Sequence, residues 1–504
     1  MRMPPMRPTS RTLSQRHLSR RHLLQSGALL SLAACGRPVA APEASEPLRV
    51  PGVDRPNMVV FLADTLRADR LGCYGYNKPI SPSIDALAAQ SIRYETCISQ
   101  ASWTKPAMGS LWTGLPADVH QAIVSSGDVP RDALVDQVHT LRPQFPTLAE
   151  MLSAAGYSTA LLLSNPQIQK QYGYGGGFDH YDYRYMYDPH EQMTEAIAWL
   201  RREAVEPWFL FVHEIDPHGP YIPDPEDFEM LFGASMQELR APLSPEDQRL
   251  LALFDLWHEK YLDDPIPQPN MYDLSRDGID YMEKLYLAEI PRVDRQVGRL
   301  VEALEEDGLR DRTVVVVTSD HGEAFYEHGT LQHGMSLHHE ELHVPLTISG
   351  PGITPGVEQR NVAFSDLYFT LLGLAGAPAQ PNPWHGPLPG IPGQTPPGAD
   401  RVIHAMTNRF LRERDEWQYA MYHKHMKVIE TKDGRVVFDR DYDPGEHTNV
   451  LDTEWADAPP AREVLARYDA ERAALAAAAE EYGPEEWTDL PDEERERLEA
   501  MGYV

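Results

Sequence analysis

The chain is short of positive charge. Its 504 residues carry 45 Lys and Arg against 76 Asp and Glu, which gives a formal net charge of −31. A protein that binds DNA or RNA neutralises phosphates with clustered Lys and Arg, so this deficit argues against nucleic acid as a partner. The deficit also argues against an anionic substrate, unless a cation in the site supplies the missing charge.

Cysteine is scarce, and long apolar runs are missing from most of the chain. Three cysteines cannot form a disulfide framework at this length, and their spacing is not that of metal ligands. Cys73 and Cys97 could form one bridge or remain two buried thiols. No segment after residue 34 approaches the roughly 18 to 20 continuous apolar residues of a membrane span. The composition is 42% hydrophobic and 24% charged, as expected for a globular protein.

Residues 1–34 predict an export signal, because arginines without any acidic residue precede a short apolar stretch. Residues 19–25 (SRRHLLQ) resemble a twin-arginine signal. Residues 32–35 (LAAC) resemble a bacterial lipobox, in which Cys35 becomes the lipidated first residue. We therefore expect a periplasmic envelope protein whose membrane contact is the lipidated Cys35 alone. The alternative is that Cys35 is discarded with the signal.

Short apolar runs alternate with amphipathic stretches after residue 56, which predicts an α/β fold. We expect a central, mostly parallel sheet covered by helices on both faces, as in an alkaline-phosphatase-like sandwich. The predicted strands are Met58–Ala63, Ser158–Leu163, Trp208–His213, Thr313–Thr318 and Val344–Ile348. The predicted helices are Ser83–Gln90, Thr147–Gly156, Gln192–Glu203 and Tyr281–Asp307.

The composition also predicts the domain boundaries. We expect a signal at 1–34, a linker at 35–56, a catalytic domain at 57–378, a Pro- and Gly-rich linker at 379–399 and a C-terminal subdomain at 400–504. Residues 222–281 are predicted to be an insertion near the site. The C-terminal subdomain should hold a small antiparallel sheet built from 401–406, 418–422, 427–430 and 436–438, followed by helices at 461–481 and 491–500.

Three separated segments carry the chemistry, at residues 57–69, 101–114 and 318–334. Asp64 and the pair Asp320-His321 directly follow apolar strands, so carboxylates and an imidazole can meet on one cation. Thr104 precedes Lys105-Pro106 at a predicted helix start, where its hydroxyl would lie near N–H donors. Because a threonine hydroxyl is a poor nucleophile unless its pKa is lowered, this combination predicts a metal-activated nucleophile.

All three segments, in this order, resemble the sulfatase-like branch of the alkaline phosphatase superfamily. The resemblance extends to residues 81–88 (SPSIDALA), 216–221 (DPHGPY) and the closing 498–504 (LEAMGYV). It implies that Asp64, Thr104, Asp320 and His321 hold a divalent cation (Ca, Mg, Mn or Zn, one or two per chain), with Thr104 as nucleophile. It further implies that Lys105, His218 and His333 contact the substrate or leaving group, or that the two histidines hold a second cation.

The chain departs from the sulfate-hydrolysing members of that family. They carry Cys or Ser at the Thr104 position, oxidised to formylglycine, with Arg at the Met108 position and a second carboxylate at the Thr65 position. A threonine cannot yield the aldehyde. The chain is in this respect similar to Thr-nucleophile phosphodiesterases and phosphoethanolamine transferases of the superfamily, which pass through a phosphothreonine.

We therefore predict a metal-dependent hydrolase of a small-molecule or envelope ester, with phosphodiester or phosphonate monoester favoured over sulfate. A phosphoryl transferase on an envelope component and a non-catalytic lipoprotein that retains the fold are the alternatives. Individual residues have alternative roles as well: Asp64 and Thr104 as helix caps, Lys105 as a solvated side chain. The other histidines near these segments (His213, His328, His338, His339 and His343) are predicted to be structural or solvated, and Lys427 is a weaker candidate for the site.

Overall fold

The middle residues of the predicted strands are apolar, which allows these strands to be buried on both faces of a sheet. The computed structural model of the protein describes residues 55–123, 137–259, 270–379, 382–407, 417–482 and 487–489. The predicted signal, Cys35, the predicted linker up to residue 54 and the predicted helix at 491–500 lie outside the described residues.

The described strands fall into one large sheet and four smaller ones. In chain order they are β1 (Asn57–Ala63), β2 (Ile92–Tyr94), β3 (Cys97–Ile98), β4 (Gln137–His139), β5 (Ser158–Leu163), β6 (His180–Tyr183), β7 (Trp208–Glu214), β8 (Thr313–Thr318), β9 (Ala324–Phe325), β10 (Leu331–Gln332), β11 (His343–Val344), β12 (Leu346–Ser349), β13 (Gly356–Glu358), β14 (Val362–Ala363), β15 (Val402–Thr407), β16 (Gln418–His423), β17 (Met426–Thr431), β18 (Gly434–Asp439) and β19 (Trp487–Asp489).

The described helices lie mainly between the strands of the large sheet. In chain order they are α1 (Pro82–Ala88), α2 (Thr104–Thr113), α3 (Ala117–His120), α4 (Leu148–Ala154), α5 (Pro189–Arg202), α6 (Pro225–Phe232), α7 (Met236–Arg240), α8 (Pro245–Glu259), α9 (Arg276–Glu306), α10 (His339–Leu342), α11 (Asp366–Ala375) and α12 (Pro459–Tyr482). Helices α1, α5, α6 and α8 contact α9, whereas α2, α4 and α11 contact one another.

The large sheet has eight strands in the order β13-β2-β12-β8-β1-β7-β5-β6. Strand β1 lies between β7 and β8 and is parallel to both. All seven of its residues are buried, as are those of β7 and the six of β8, which is typical of strands covered on both faces. The predicted α/β fold with a mostly parallel central sheet is therefore confirmed.

One predicted strand differs from the observed one. The run at 344–348 is divided by Pro345 into β11 and β12, because proline has no N–H to donate to a ladder. Strand β12 runs antiparallel to its neighbours β8 and β2. The sheet is therefore mixed on this side of β8, whereas its centre is parallel.

The C-terminal sheet is antiparallel and has the order β15-β16-β17-β18. Helix α12 packs on it through Val464 and Tyr468, which share a buried cluster with Met421 and Val428. The predicted small antiparallel sheet is thus confirmed, and the domain boundaries remain predictions.

The segment predicted as an insertion contains helices α6, α7 and α8. Phe228, Leu251 and Phe254 from these helices join the main core. No helix in the described part of the chain is both long and apolar enough to cross a membrane. Cys73 and Cys97 are both free thiols.

Candidate active site

Three parallel strands end at the same level of the large sheet, and polar residues follow them. Leu62 of β1 is paired with His213 of β7 and with Thr318 of β8. Asp64 and Asp320 each come two positions after a residue of this row. The register therefore brings both carboxylates to the carboxyl edge of the sheet, where α/β proteins hold their ligands.

Asp64, Asp320 and His321 form one compact group. One ligand atom from each lies within 4.8 Å of the others, and all three side chains are fully buried. Nε2 of His321 lies 3.5 Å from Oδ1 of Asp64 and 3.4 Å from Oδ2 of Asp320. Within the described ranges, this is the one group of three acidic, histidine or cysteine side chains that is close enough to hold a metal ion.

A backbone carbonyl orients the ring of His321. Nδ1 lies 3.0 Å from the carbonyl oxygen of Gly322, so this nitrogen carries the proton and Nε2 presents its lone pair to the carboxylates. The chain passes close to Glu340 at this point. A Cβ at residue 322 would lie 2.0 Å from the carbonyl oxygen of Glu340, so glycine is required.

The donor set fits a divalent cation. Two ionised carboxylates buried side by side are unfavourable unless a positive charge compensates them. Oδ2 of Asp320 accepts no hydrogen bond from the part of the chain that is described, so a lone pair remains for another ligand. Carboxylate oxygens with one imidazole nitrogen suit Mg, Mn, Ca or Zn.

Thr104 is the first residue of α2, and its hydroxyl reaches this group. Oγ1 lies 3.3 Å from Nε2 of His321, and the residue is 2% exposed. The capping position is occupied by Trp103 in an extended conformation, so Thr104 is not the N-cap of the helix. At a helix N-terminus, unpaired N–H groups and the helix dipole favour negative charge on a bound ligand.

The backbone after Asp64 is strained and held on both sides. Thr65 has a φ of 60°, in the left-handed region that β-branched residues rarely adopt. Its N–H donates to Oδ1 of Asp320 at 3.4 Å, and its carbonyl oxygen accepts from the hydroxyl of Tyr286 at 3.0 Å. These contacts join β1, β8 and α9 at the site and fix Asp64 relative to Asp320.

Lys105 follows Thr104 and is fully buried, so it is not a solvated side chain. Its Nζ lies 4.8 Å from the centroid of the Tyr172 ring, a cation–π contact. The hydroxyl of Tyr174 donates to the carbonyl oxygen of Lys105 at 2.8 Å. Its role as a catalytic residue remains a prediction.

His218 and His333 lie next to each other and close to the ligand group. Their ring centroids are 4.8 Å apart, and the His333 ring is 4.6 Å from that of His321. Nδ1 of His333 lies 3.0 Å from Oε1 of Glu323, and Nδ1 of His218 lies 2.6 Å from the carbonyl oxygen of Gly219. The structure therefore brings both predicted histidines to the same side of the site.

Asp216, the carboxylate nearest to His218 in sequence, is paired with an arginine. Asp216 is bound by the guanidinium of Arg292, which also contacts Glu289 on α9. Arg292 and Asp216 anchor the loop that carries His218 to helix α9. Asp216 is therefore occupied and does not join the two histidines in a second group of three ligands.

Two residues at the site were missed by the sequence analysis. Asn165 follows β5, and its side-chain Nδ2 lies 2.8 Å from Oδ2 of Asp64 and 3.2 Å from Oγ1 of Thr104. His213, predicted to be structural or solvated, is fully buried with Nε2 3.8 Å from Oδ2 of Asp64. Burial lowers the pKa of His213 to about 4, so this imidazole does not supply a positive charge to Asp64. A polar residue just past a buried strand was the available signal for Asn165.

Lys427 is not directed at this group. Its Nζ lies 2.8 Å and 2.7 Å from the two carboxylate oxygens of Glu446, and both side chains are fully buried. His338 binds the same carboxylate through Nδ1 at 3.1 Å, and the rings of His328 and His338 stack with centroids 3.7 Å apart. These residues connect the C-terminal sheet to the segment between His321 and β11.

Residues 56–377 match the family model described as Sulfatase. Arylsulfatase K of Homo sapiens is 29% identical over 293 residues, which are 52% of this chain and 51% of that protein. This chain thus spans about half the length of arylsulfatase K. N-acetylglucosamine-6-O-sulfatase of Bacteroides thetaiotaomicron is 25% identical over 439 residues, which are 70% of this chain and 72% of that protein.

Solved structures of the same fold include the phosphonate monoester hydrolase of Agrobacterium radiobacter. It superimposes with a TM-score of 0.64 at 21% sequence identity, over 84% of this chain and 96% of that one. At this identity the similarity establishes the shared fold.

Proposed function

This chain belongs to the sulfatase family, and from that premise we propose that it hydrolyses a sulfate- or phosphate-type ester through a covalent adduct on Thr104. The observation that carries the proposal is the 3.3 Å distance between Oγ1 of Thr104 and Nε2 of His321. It puts a hydroxyl beside two buried carboxylates and an imidazole, in a set of donors suited to a divalent cation. When bound by Asp64, Asp320 and His321, the cation would lower the pKa of the nearby hydroxyl and balance negative charge on the substrate.

The chain's own residues perform two displacements in this scheme. Oγ1 of Thr104 loses its proton to solvent and attacks phosphorus or sulfur, and the bond to the ester oxygen breaks. His333 or His218, as an imidazolium, protonates the departing oxygen. Water then attacks the adduct and gives a proton back to the imidazole, while Oγ1 of Thr104 is reprotonated by solvent.

His333 is better arranged than His218 for the proton transfer. Its Nδ1 faces the carboxylate of Glu323, which orients the ring and balances the positive charge of the imidazolium. Nδ1 of His218 instead faces a neutral carbonyl oxygen. The burial of His333, at 5% exposure, also keeps competing water away from the transferred proton.

The substrate class is favoured by the residues around the nucleophile. A threonine cannot form the aldehyde that sulfate-hydrolysing relatives use, and Met108 supplies a buried apolar side chain where an arginine is expected. We therefore propose a phosphodiester or a phosphonate monoester as the preferred substrate. Each carries a single negative charge, as a sulfate ester does, so the preference rests on the missing aldehyde and the missing arginine.

The test is hydrolysis of aryl phosphodiester, aryl phosphonate and aryl sulfate esters, with and without added divalent cation. Thr104→Ala and Asp320→Ala should each abolish the metal-dependent rate, because one removes the nucleophile and the other a ligand. Ser102→Ala is the matched control, since its buried hydroxyl has no hydrogen-bond partner within the described ranges. Unchanged rates in Thr104→Ala would contradict the proposal. Products measured with added alcohol distinguish hydrolysis from transfer.

We also propose export by the twin-arginine route and a periplasmic location, with lipid attached at Cys35. The support is the sequence of residues 1–35 alone. Metabolic labelling with a fatty acid should mark the full-length protein and leave Cys35→Ala unlabelled. Equal labelling of the two proteins would contradict lipidation at this residue.

A further inference from the structure

Asn165 lies two positions beyond β5, at the same level as the ligand group. Leu163, the last residue of β5, is paired with His213, which is itself paired with Leu62 of β1. The row that brings Asp64 to the carboxyl edge therefore also brings Asn165 there. The side chain is 3% exposed, so its amide must find its hydrogen bonds inside the protein.

The amide nitrogen of Asn165 lies within hydrogen-bond distance of two atoms of the proposed site. Nδ2 lies 2.8 Å from Oδ2 of Asp64 and 3.2 Å from Oγ1 of Thr104. A single planar NH₂ group thus bridges a carboxylate of the ligand group and the hydroxyl oxygen of the nucleophile. Such a bridge restricts the rotation of Thr104 about χ1.

The orientation of the amide is set by the backbone next to it. Oδ1 of Asn165 accepts a hydrogen bond from the N–H of Gln167 at 2.8 Å, which caps a short 3-10 helix at Pro166–Ile168. Pro166 has no N–H, so Gln167 provides the first backbone donor of this turn. Exchanging O and N of the amide would bring two donors together at Gln167 and two acceptors together at Asp64.

The bridge acts differently on the two protonation states of Thr104. While Oγ1 is a hydroxyl, the bond from Asn165 joins two neutral groups. Once Oγ1 has lost its proton, the same N–H donates to an anion, and such charge-assisted bonds are about twice as strong. An interaction that strengthens as charge develops lowers the barrier of the chemical step.

We propose that Asn165 is a catalytic residue, whose amide stabilises and aims the deprotonated Oγ1 of Thr104 while it holds Asp64 in place. This inference rests on the proposed function, since it names a residue that serves the attack by Thr104. It assigns a role to a position that lies outside the three segments on which the nucleophile and ligands were predicted.

The alternative is that Asn165 only caps the turn. The variant Asn165→Asp distinguishes the two roles, because they predict opposite effects of this substitution. Asp and Asn are about equally good as capping residues, so a capping role predicts that Asn165→Asp is harmless. In Asn165→Asp, Oδ1 can still accept from Gln167. The second carboxylate oxygen would then face Oδ2 of Asp64 and Oγ1 of Thr104, where it repels an anionic nucleophile.

The kinetic test uses Asn165→Ala and Asn165→Asp at saturating Mn²⁺, on the ester that the wild type hydrolyses best. We expect kcat to fall ~100-fold in Asn165→Ala and further in Asn165→Asp, with KM within about threefold of the wild type. Lys170→Ala, an exposed residue on the same connection, is the control and should match the wild type. A wild-type kcat in Asn165→Asp would overturn the proposal.

A second readout needs no substrate and is made on the metal-free protein. Thermal unfolding of Asn165→Ala, Thr104→Ala and the double variant forms a cycle. The double variant should lose less stability than the sum of the single losses, because both single changes break the same hydrogen bond. Strict additivity would overturn the contact.

The two readouts separate this inference from the proposed function. If Thr104→Ala keeps the wild-type rate, the proposed function fails and the catalytic role of Asn165 falls with it, even if the cycle shows coupling. If Thr104→Ala is inactive but Asn165→Ala retains kcat within about threefold, the proposed function stands and the inference about Asn165 is wrong.

Discussion

Oγ1 of Thr104 lies 3.3 Å from Nε2 of His321, and neither side chain is open to solvent. The same nitrogen lies within 3.5 Å of a carboxylate oxygen of Asp64 and within 3.4 Å of one of Asp320. A cation bound at this nitrogen would therefore lie beside the hydroxyl as well. Thr104 and the three candidate ligands form one unit, so a change to any of them should disturb the others.

Divalent cations should stabilise the folded protein. Asp64 and Asp320 are both 0% exposed, and a bound cation would offset the cost of burying their charges. At a free Mn²⁺ concentration of about 100 times the dissociation constant, we expect a gain of ~2.7 kcal/mol and a Tm higher by several degrees. Differential scanning fluorimetry after chelation and after metal addition measures this shift.

The matched variants for that measurement are Asp64→Asn and Asp320→Asn, which keep the side-chain volume and remove one charge. Each should abolish most of the metal-dependent shift in Tm. Glu283→Gln, on α9 and paired with Arg70, is a control that should retain the shift. An equal shift in all three variants would mean that the cation binds elsewhere.

Removal of the His333 imidazole should matter most for poor leaving groups. His333→Ala is expected to slow hydrolysis of alkyl esters by ~100-fold and that of nitrophenyl esters by less than about tenfold, because a stabilised phenolate leaves without a proton. The dependence of log kcat on the pKa of the leaving group measures this. Glu323→Gln should give a weaker effect of the same kind, and a uniform loss across the series would argue for a binding role.

Removing one member of the buried Lys427–Glu446 ion pair should lower the stability of the protein strongly. Burial alone would raise the pKa of Glu446, but the charge of Lys427 and the hydrogen bond from His338 lower it to about 2. Lys427→Met leaves a buried carboxylate with less compensation, and we expect a loss of about 3 to 5 kcal/mol in the free energy of unfolding. Urea denaturation measures it.

The double variant Lys427→Met/Glu446→Leu is the informative companion, since it removes both charges. Its loss should be smaller than the sum of the losses of the two single variants. Additive losses would show that the two side chains act independently in spite of their 2.7 Å separation.

The contact between His328 and Glu340 should make stability depend on pH. Burial would lower the pKa of His328, but the hydrogen bond and the charge of Glu340 raise it above 6.5. The same contact lowers the pKa of Glu340 below 4.5, although burial opposes it. The histidine's contribution is therefore complete below about pH 6.5 and is lost as the pH rises through its folded pKa. The glutamate's contribution is lost as the pH falls below about 4.5.

His328→Gln should accordingly cost more stability at about pH 5.5 than at about pH 8.5. The measured quantity is the difference in Tm between wild type and variant at each pH, which cancels the titration of groups common to both. His190→Gln, at an exposed residue of α5, is the control and should change the Tm little at either pH. A cost for His328→Gln that does not change with pH would contradict the ion pair.

The sheet could be predicted because its central strands are apolar without interruption. Strands β5 (158–163) and β8 (313–318) have the predicted bounds. Strands β1 and β7 are each one residue longer than predicted. The position of Asp64 and Asp320 at the end of the sheet could be predicted as well, since Asp64 directly follows β1 and Asp320 comes two residues after β8. The α/β architecture follows from that alternation and from the helices between the strands.

Asn165 and His213 could not be predicted in the same way. Asn165 precedes Pro166 in a segment rich in Gly, Gln and Tyr, where an asparagine is expected in any turn. His213 is the last residue of a predicted strand that is otherwise apolar, so the sequence pattern does not indicate that polar side chains surround it. Their roles depend on the strand order β8-β1-β7-β5, which brings residues that are distant in the sequence into one row.

The helices within residues 222–281 were missed because this segment is polar and rich in proline, and its apolar residues show only weak periodicity. Helix α8 contributes Leu251 and Phe254 to the main core, and α6 contributes Phe228. Packing against α9 stabilises these helices. Sequence periodicity, in contrast, indicates mainly how wide the buried face of a helix is. Tertiary contacts thus stabilise helices that the local sequence pattern does not predict.

The central claim is that Thr104 forms a covalent adduct during turnover, and intact-protein mass spectrometry after rapid acid quench tests it most directly. With an aryl phosphodiester or phosphonate and Mn²⁺, we expect a mass increase equal to the transferred group, located on Thr104 by peptide mapping and missing from Thr104→Ala. Hydrolysis by the wild type with no adduct at any quench time, or an adduct of equal size on Thr104→Ala, would contradict it.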